Sequence, residues 1–201
     1  MKLVLCEGLD EVAVIGGLCA ASGIAGLTIE PFNGRNQLRD VLKELTKRPE
    51  FVRREIESLG ILLDADTDPS AAWQKLRHDV QAALGLDLPE RGAFLGERPS
   101  VAGFLIHGPD GRGMLEDLCL EAVGDQPGFP CVEDYFRCLA ERTGKPAYHA
   151  KARFRAWMAS QSDFDLRVGK AAEKGLMPWA NPAFDRLREF LNRLMVGAQS
   201  G

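Results

Sequence analysis

Four short apolar runs constrain this chain most. They are KLVLC at 2–6, LTIEPFNG at 27–34, IESLGILLDAD at 56–66 with its apolar heart at 60–63, and VAGFLIHG at 101–108. Each heart is too short for a helix and largely apolar on both alternating sides, so each reads as a strand buried on both faces. The segments between them have helical spacing. In LDEVAVIGGLCAAS, Val12, Ile15 and Cys19 share a face and Gly23 can end the helix; in RNQLRDVLKELTKR, Leu38, Val41, Leu42 and Leu45 form a stripe that Pro49 stops. Asp68-Pro69 caps and opens a helix whose inner stripe is Trp73, Leu76, Val80 and Leu84, and the turn GPDG precedes another marked by Met114, Leu115, Leu118 and Cys119. Strand alternating with helix predicts an α/β fold with a mostly parallel central sheet and helices on both faces.

The pattern changes after about residue 125, where strand-like runs cease. Val132, Tyr135, Phe136 and Leu139 stripe one helix, the basic-aromatic KPAYHAKARFRAW begins the next, and Phe184, Leu187, Leu191 and Leu194 stripe a last one introduced by NPAF. We expect an α/β domain over residues 1–125 and a C-terminal helical layer over 126–201 packed on it.

Composition narrows the functional classes. The 201 residues are 45% hydrophobic and suffice to bury a core, while a net charge of -4 provides no general basic field for nucleic acid. Five cysteines (Cys6, Cys19, Cys119, Cys131, Cys138) form no CxxC pair and sit mostly among apolar residues, which predicts reduced, buried thiols and no zinc site. No run approaches a membrane span, and the apolar start is too short for a signal peptide, so the expected location is the cytoplasm.

In parallel sheets, functional groups gather at the carboxyl ends of the strands. Glu7 ends the first strand, with Glu11 one helical turn beyond Gly8; Asp64 and Asp66 end the third. Asp10 and Glu11 also suit a helix N-terminus, whose dipole favours negative charge, but that does not account for Glu7. Two residues apart on an extended chain point to one side, so Asp64 and Asp66 are expected to converge. Close carboxylates are costly unless a cation or proton neutralises them, and an all-oxygen set suits Mg²⁺ or Mn²⁺. Asp68 reads as a helix cap.

The strand followed by EG-x-x-D/E, and the later strand followed by DAD, resemble the TOPRIM domain. This is the catalytic fold of topoisomerases, bacterial primases and nucleases of the overcoming-lysogenization-defect (OLD) type. That resemblance covers roughly residues 1–125. CEGLDE, GILLDADTDP, GMLEDLCL and VGKAAEKGLMPWANPAFDRLREFL carry a closer resemblance, over nearly the whole chain, to a small stand-alone TOPRIM-related bacterial family without an established function. The resemblance implies that Glu7, Asp64 and Asp66 are the TOPRIM glutamate and DxD aspartates, and that Glu11 also approaches metal as in the nuclease branch. It further implies an acid after the fourth strand, Glu116 ahead of Asp117, and a lysine near the end of the domain, Lys151 ahead of Lys145.

These implications give Mg²⁺- or Mn²⁺-dependent phosphodiester chemistry on DNA or RNA, most simply a nuclease, possible in phage defence with a separate ATPase subunit. Acids would hold the ions, a lysine would meet phosphate charge, and Glu7 could instead act as a general base. The alternatives are a nucleotide phosphohydrolase, or a non-catalytic TOPRIM module that binds a partner such as an ATPase. The chain itself has no P-loop. Tyr135 and Tyr148, the only tyrosines, lie in the helical tail, which argues against topoisomerase action. Lys145, Lys151, Arg153 and Arg155 suit either phosphate contact or an ordinary solvated face. His107 follows a strand end and can face the site or serve the structure, and Trp73, Trp157 and Trp179 read as core.

Overall fold

The structure, a computed structural model, describes residues 1–88, 91–96, 98–144, 149–161, 165 and 167–197. Four strands, β1 (Lys2–Cys6), β2 (Leu27–Pro31), β3 (Ser58–Asp64) and β4 (Ser100–Ile106), form an all-parallel sheet in the order β2-β1-β3-β4. Lys2 pairs with Leu27 on one side and Ser58 on the other, and Asp64 lies opposite Ile106. The helices are α1 (Leu9–Ser22), α2 (Leu38–Leu45), α3 (Pro49–Val52), α4 (Pro69–Leu84), α5 (Leu115–Val123), α6 (Phe129–Thr143), α7 (His149–Ser160), α8 (Val168–Glu173) and α9 (Asp185–Val196).

Alternation along the strands divides the apolar side chains between two cores. Leu3, Leu5, Leu59, Ile61, Leu63, Val101 and Leu105 pack with α2 and α4 on one face. Val4, Cys6, Leu62, Ala102 and Ile106 share the other core with α1 and with residues of α5 to α9, among them the fully buried Trp157. β1, β3 and β4 are apolar on both sides because both sides are covered, whereas the edge strand β2 (LTIEP), also expected to be buried on both faces, is only half-buried along its length.

Glycines set two of these close approaches. A Cβ at Gly60 would lie 3.2 Å from Phe190 and 3.3 Å from Leu194, so its absence lets α9 settle on β3. On the opposite face, a Cβ at Gly103 would come within 2.5 Å of Leu76 and 2.7 Å of Trp73.

Several expectations are modified. β3 stops at Asp64, and Asp66 has φ 51°, a left-handed conformation rather than extended chain. α2 covers the whole stripe from Leu38 to Leu45 but is shorter than the segment RNQLRDVLKELTKR read as helical, being preceded by a 3-10 turn at Arg35–Gln37, and Pro49 opens α3 as well as ending the earlier pattern. Cys6, Cys19 and Cys119 are buried, but Cys131 and Cys138 are exposed on α6 because they fall outside its apolar stripe. Asp68 does cap α4: its Oδ1 accepts from the amides of Ser70 and Ala71, both at 3.0 Å. Among the described residues no helix is long and apolar enough to cross a membrane.

Replacing Gly103 with Ala forces a Cβ against the Trp73 ring and Leu76. We expect a loss of about 1–3 kcal/mol, read as a lower urea midpoint. An unchanged midpoint would show that α4 is not seated tightly on β4.

Candidate functional site

The sheet order creates an opening. From β1 the chain crosses to β2 on one side, and from β3 it crosses to β4 on the other. The two connections diverge above the carboxyl ends of β1 and β3, the position where open α/β sheets form crevices. Glu7 follows β1 at this point and Asp64 ends β3. The Asp64 amide donates to Glu7 Oε1 at 3.4 Å, joining the two strand ends.

Neighbouring elements add further charged groups. Gly8 caps α1 in extended conformation, which places Glu11 in the first turn of the helix. Glu116 stands in the first turn of α5, and Lys151 Nζ of α7 lies 3.7 Å from its Oε1. The Lys151 side chain is 45% exposed and that of Glu116 15%, so the ammonium faces solvent while the carboxylate is enclosed. Asp64 Oδ1 accepts from the Leu115 amide, the first of α5, at 3.0 Å.

The electrostatics follow from this crowding. Burial raises the proton affinity of Glu7; the Asp64 amide, Arg35 and Lys151 counter it, while Asp66 adds to it. Burial also raises Glu11, with Glu7, Asp10 and Glu116 reinforcing the shift. Asp64 is pushed well above the usual carboxylate range, first by burial and then by Glu11, Glu7, Glu116 and Asp66. Glu116 is raised by burial against the opposing charge of Lys151. Glu7, Glu11, Asp64 and Glu116 thus form one coupled acidic group with Lys151 at its rim.

Asp66 departs from expectation. Its left-handed backbone exchanges two 2.7 Å hydrogen bonds with Gly113, and its carboxylate pairs with Arg35. It remains close enough to influence Glu7 and Asp64, but its direction is set by Arg35 and not by strand alternation. Asp117 accepts from the Met114 amide at 2.9 Å and serves the α5 terminus. Lys145 and Tyr148 lie outside the described residues. Arg153 turns to Glu133 and lies over the Phe129 ring, so it does not continue a basic strip from Lys151, while Arg155 is exposed. His107 bonds the Gly108 carbonyl and Arg186.

Arg35 is the residue that sequence reasoning missed. The Gly34 amide donates to the Glu7 carbonyl at 3.0 Å and the Phe32 amide to that of Cys6 at 2.8 Å, which holds the turn after β2 over the opening. Arg35 then reaches the Asp66 carboxylate and, at 3.5 Å, the Asp64 carbonyl. A usable signal was present: Arg35 follows the carboxyl end of a strand predicted to be parallel.

The donor set is all oxygen, as a hard divalent cation requires. Asp64 Oδ2 carries no hydrogen bond among the described residues. Among the described residues, however, no three His, Cys, Asp or Glu side chains already stand close enough together to enclose an ion. The chemistry of the set fits Mg²⁺ or Mn²⁺, and closing on an ion would require side-chain rotation. A cleft of about 590 Å³ adjoins the acids, with Asp66, Arg112, His149 and Lys151 in its wall.

An all-parallel sheet covered on both faces, with acids at its switch point, defines an α/β domain whose site is built from strand ends. The chain belongs to the family of proteins of unknown function DUF3226, whose sequence profile matches residues 1–196. The crystal structure of a hypothetical protein from Pyrococcus horikoshii OT3 is similar in fold, with a TM-score of 0.65 at 13% identity over 97% of this chain and 93% of that one. Two structures of the C-terminal region of the Xanthomonas campestris pv. campestris OLD protein, phased with iodine and with mercury, match at 17% identity over 96% of this chain. They give TM-scores of 0.49 and 0.46 over 95% and 96% of their own length. No curated protein sequence matches significantly.

The acid shifts predict an inverted pH dependence in metal-free buffer. Folded carboxyls with raised proton affinity bind more protons than unfolded ones, so stability falls as pH climbs through their folded values. The cost is absent below the ordinary values, 3.8 for Asp64 and 4.5 for the glutamates, and complete above the raised ones. Asp64→Asn with Glu11→Gln should therefore raise the urea midpoint at neutral pH, with an advantage that shrinks toward pH 4. A variant less stable than wild type at neutral pH would contradict this account.

Proposed function

We propose that the protein carries out Mg²⁺- or Mn²⁺-dependent phosphodiester cleavage on nucleic acid, as a nuclease of the TOPRIM kind. The observation that carries the proposal is the convergence of Glu7, Glu11, Asp64 and Glu116 at the β1–β3 switch point, with Lys151 beside them. The resemblance of CEGLDE and GILLDADTDP to TOPRIM motifs supports the same reading. Mutual repulsion among enclosed acids is relieved by a bound cation, so the cost of the apo site becomes affinity for metal.

Glu7, Glu11, Asp64 and Glu116 would hold the metal, with Asp66 joining only on release from Arg35. A bound ion would supply a more acidic water and charge compensation at the attacking and leaving oxygens. Glu7 would take a proton if it is not itself a ligand. Lys151 Nζ, exposed beside Glu116, would meet negative charge developing on the phosphate, and the adjoining cleft would seat the flanking substrate.

A second reading has its own support. Arg35 occupies Asp66, and no three acids stand ready round an ion among the described residues, as suits a module completed by a partner, such as an ATPase, or a non-catalytic one.

Titration calorimetry with Mn²⁺, and cleavage assays on DNA and RNA oligonucleotides, separate these readings. Wild type should bind Mn²⁺, and Glu7→Gln with Asp64→Asn should abolish binding. Lys151→Ala should retain the metal and lose roughly 100-fold in cleavage, the usual scale for removing one transition-state charge contact. Wild type that binds no Mn²⁺ at millimolar concentration refutes the metal site. Binding without cleavage, alone or with an ATPase, favours the interaction module.

A further inference from the structure

A second charged feature lies away from the acids. Beside edge strand β4 and α9 is a hollow of about 220 Å³ into which Arg91, Arg186 and Arg193 all face. Among the described residues none of the three makes an ion pair with a carboxylate. Arg91 donates to the Pro69 carbonyl at 3.0 Å, Arg186 Nη1 lies 2.9 Å from His107 Nε2, and Arg193 sits over the Phe94 ring at 5.6 Å. Most other arginines differ: ten of the fourteen, Arg35, Arg48 and Arg153 among them, are paired with an acid.

His107 shows how one of the three is held. Its Nδ1 is 2.6 Å from the Gly108 carbonyl, which can only accept, so Nδ1 bears the hydrogen. Nε2 is then the acceptor for Arg186. The imidazole orients the guanidinium without neutralising it. Glu189 is the one carboxylate among the described residues lining the hollow, leaving an excess of positive charge in a chain whose net charge is -4.

We propose that this hollow is a phosphate-binding site that takes a phosphate of a nucleic-acid strand. Guanidinium groups present planar donor pairs that match phosphate oxygens, and they need not leave a carboxylate to do so. His107 directly follows β4, whose Ile106 pairs with Asp64, so the end of the hollow marked by His107 and Arg186 is near the carboxyl edge that carries the acids, one strand away. The assignment of the phosphate to nucleic acid rests on the function proposed above; the anion site rests on the arginines alone.

The test uses Arg186→Gln with Arg193→Gln, both exposed positions, on the full chain. Binding of a fluorescein-labelled single-stranded oligonucleotide is followed by anisotropy in EDTA across a salt series. The variant should bind about tenfold more weakly, with a salt slope shallower by about 1. Equal affinity and slope in the variant and wild type would overturn the proposal. Inorganic phosphate, followed by shifts of the arginine side-chain NMR signals, separates the two sources. Wild type that responds to phosphate but not to the oligonucleotide keeps the anion site and removes the nucleic-acid reading, whereas no response to either removes the site.

Discussion

Glu7, Glu11, Asp64 and Glu116 arrive from different strand and helix ends, and each makes the others harder to ionise once water is partly withdrawn. The surrounding structure supplies what compensation there is. The Asp64 amide faces Glu7, the first amide of α5 faces Asp64, Lys151 faces Glu116, and Arg35 takes Asp66. Two of these four are backbone groups fixed by the sheet and by a helix terminus, so they cannot move away to relieve strain. Such a framework holds like charges together against their repulsion, as a cation site must.

The C-terminal helices belong to this framework. They share one apolar core with α1 and the sheet, and α9 approaches β3 closely because residue 60 has no side chain. Asp10, an acid that suits a helix N-terminus on sequence grounds, accepts from the Gly169 amide at 3.1 Å and so joins α1 to α8. The same layer delivers Lys151 to the acids and presents Arg186 and Arg193 at the edge of the sheet.

The sequence revealed what depends on local pattern. Doubly buried strands need apolar residues on both sides, so β1, β3 and β4 were legible, and the Asp68-Pro69 pair fixed the start of α4 because cap and first turn are adjacent in the chain. Glu7 and Asp64 could be placed because charged residues at the ends of buried parallel strands have few other locations. Asp66 could not be oriented, because its left-handed turn is held by Gly113, far along the chain. Arg35 was missed for a related reason: its direction comes from hydrogen bonds between the loop after β2 and the end of β1. The exposed Cys131 and Cys138 show that apolar neighbours do not decide burial on a helix, where position around the axis does.

The thiols bear on what chemistry the opening can host. Cys6 lies just before Glu7, and burial together with Glu11 and Glu7 pushes its thiol up to about 12. Cys119, fully buried in α5, is raised by burial and by the acids Glu116, Glu11, Asp10 and Asp64. A thiolate is the form that attacks substrates or binds soft metals, and both cysteines are held far from it at neutral pH. Burial, reinforced by the acids that would attract a hard cation, keeps the nearest sulfurs protonated. Enclosure at this opening thus both crowds the acids and silences the cysteines around them.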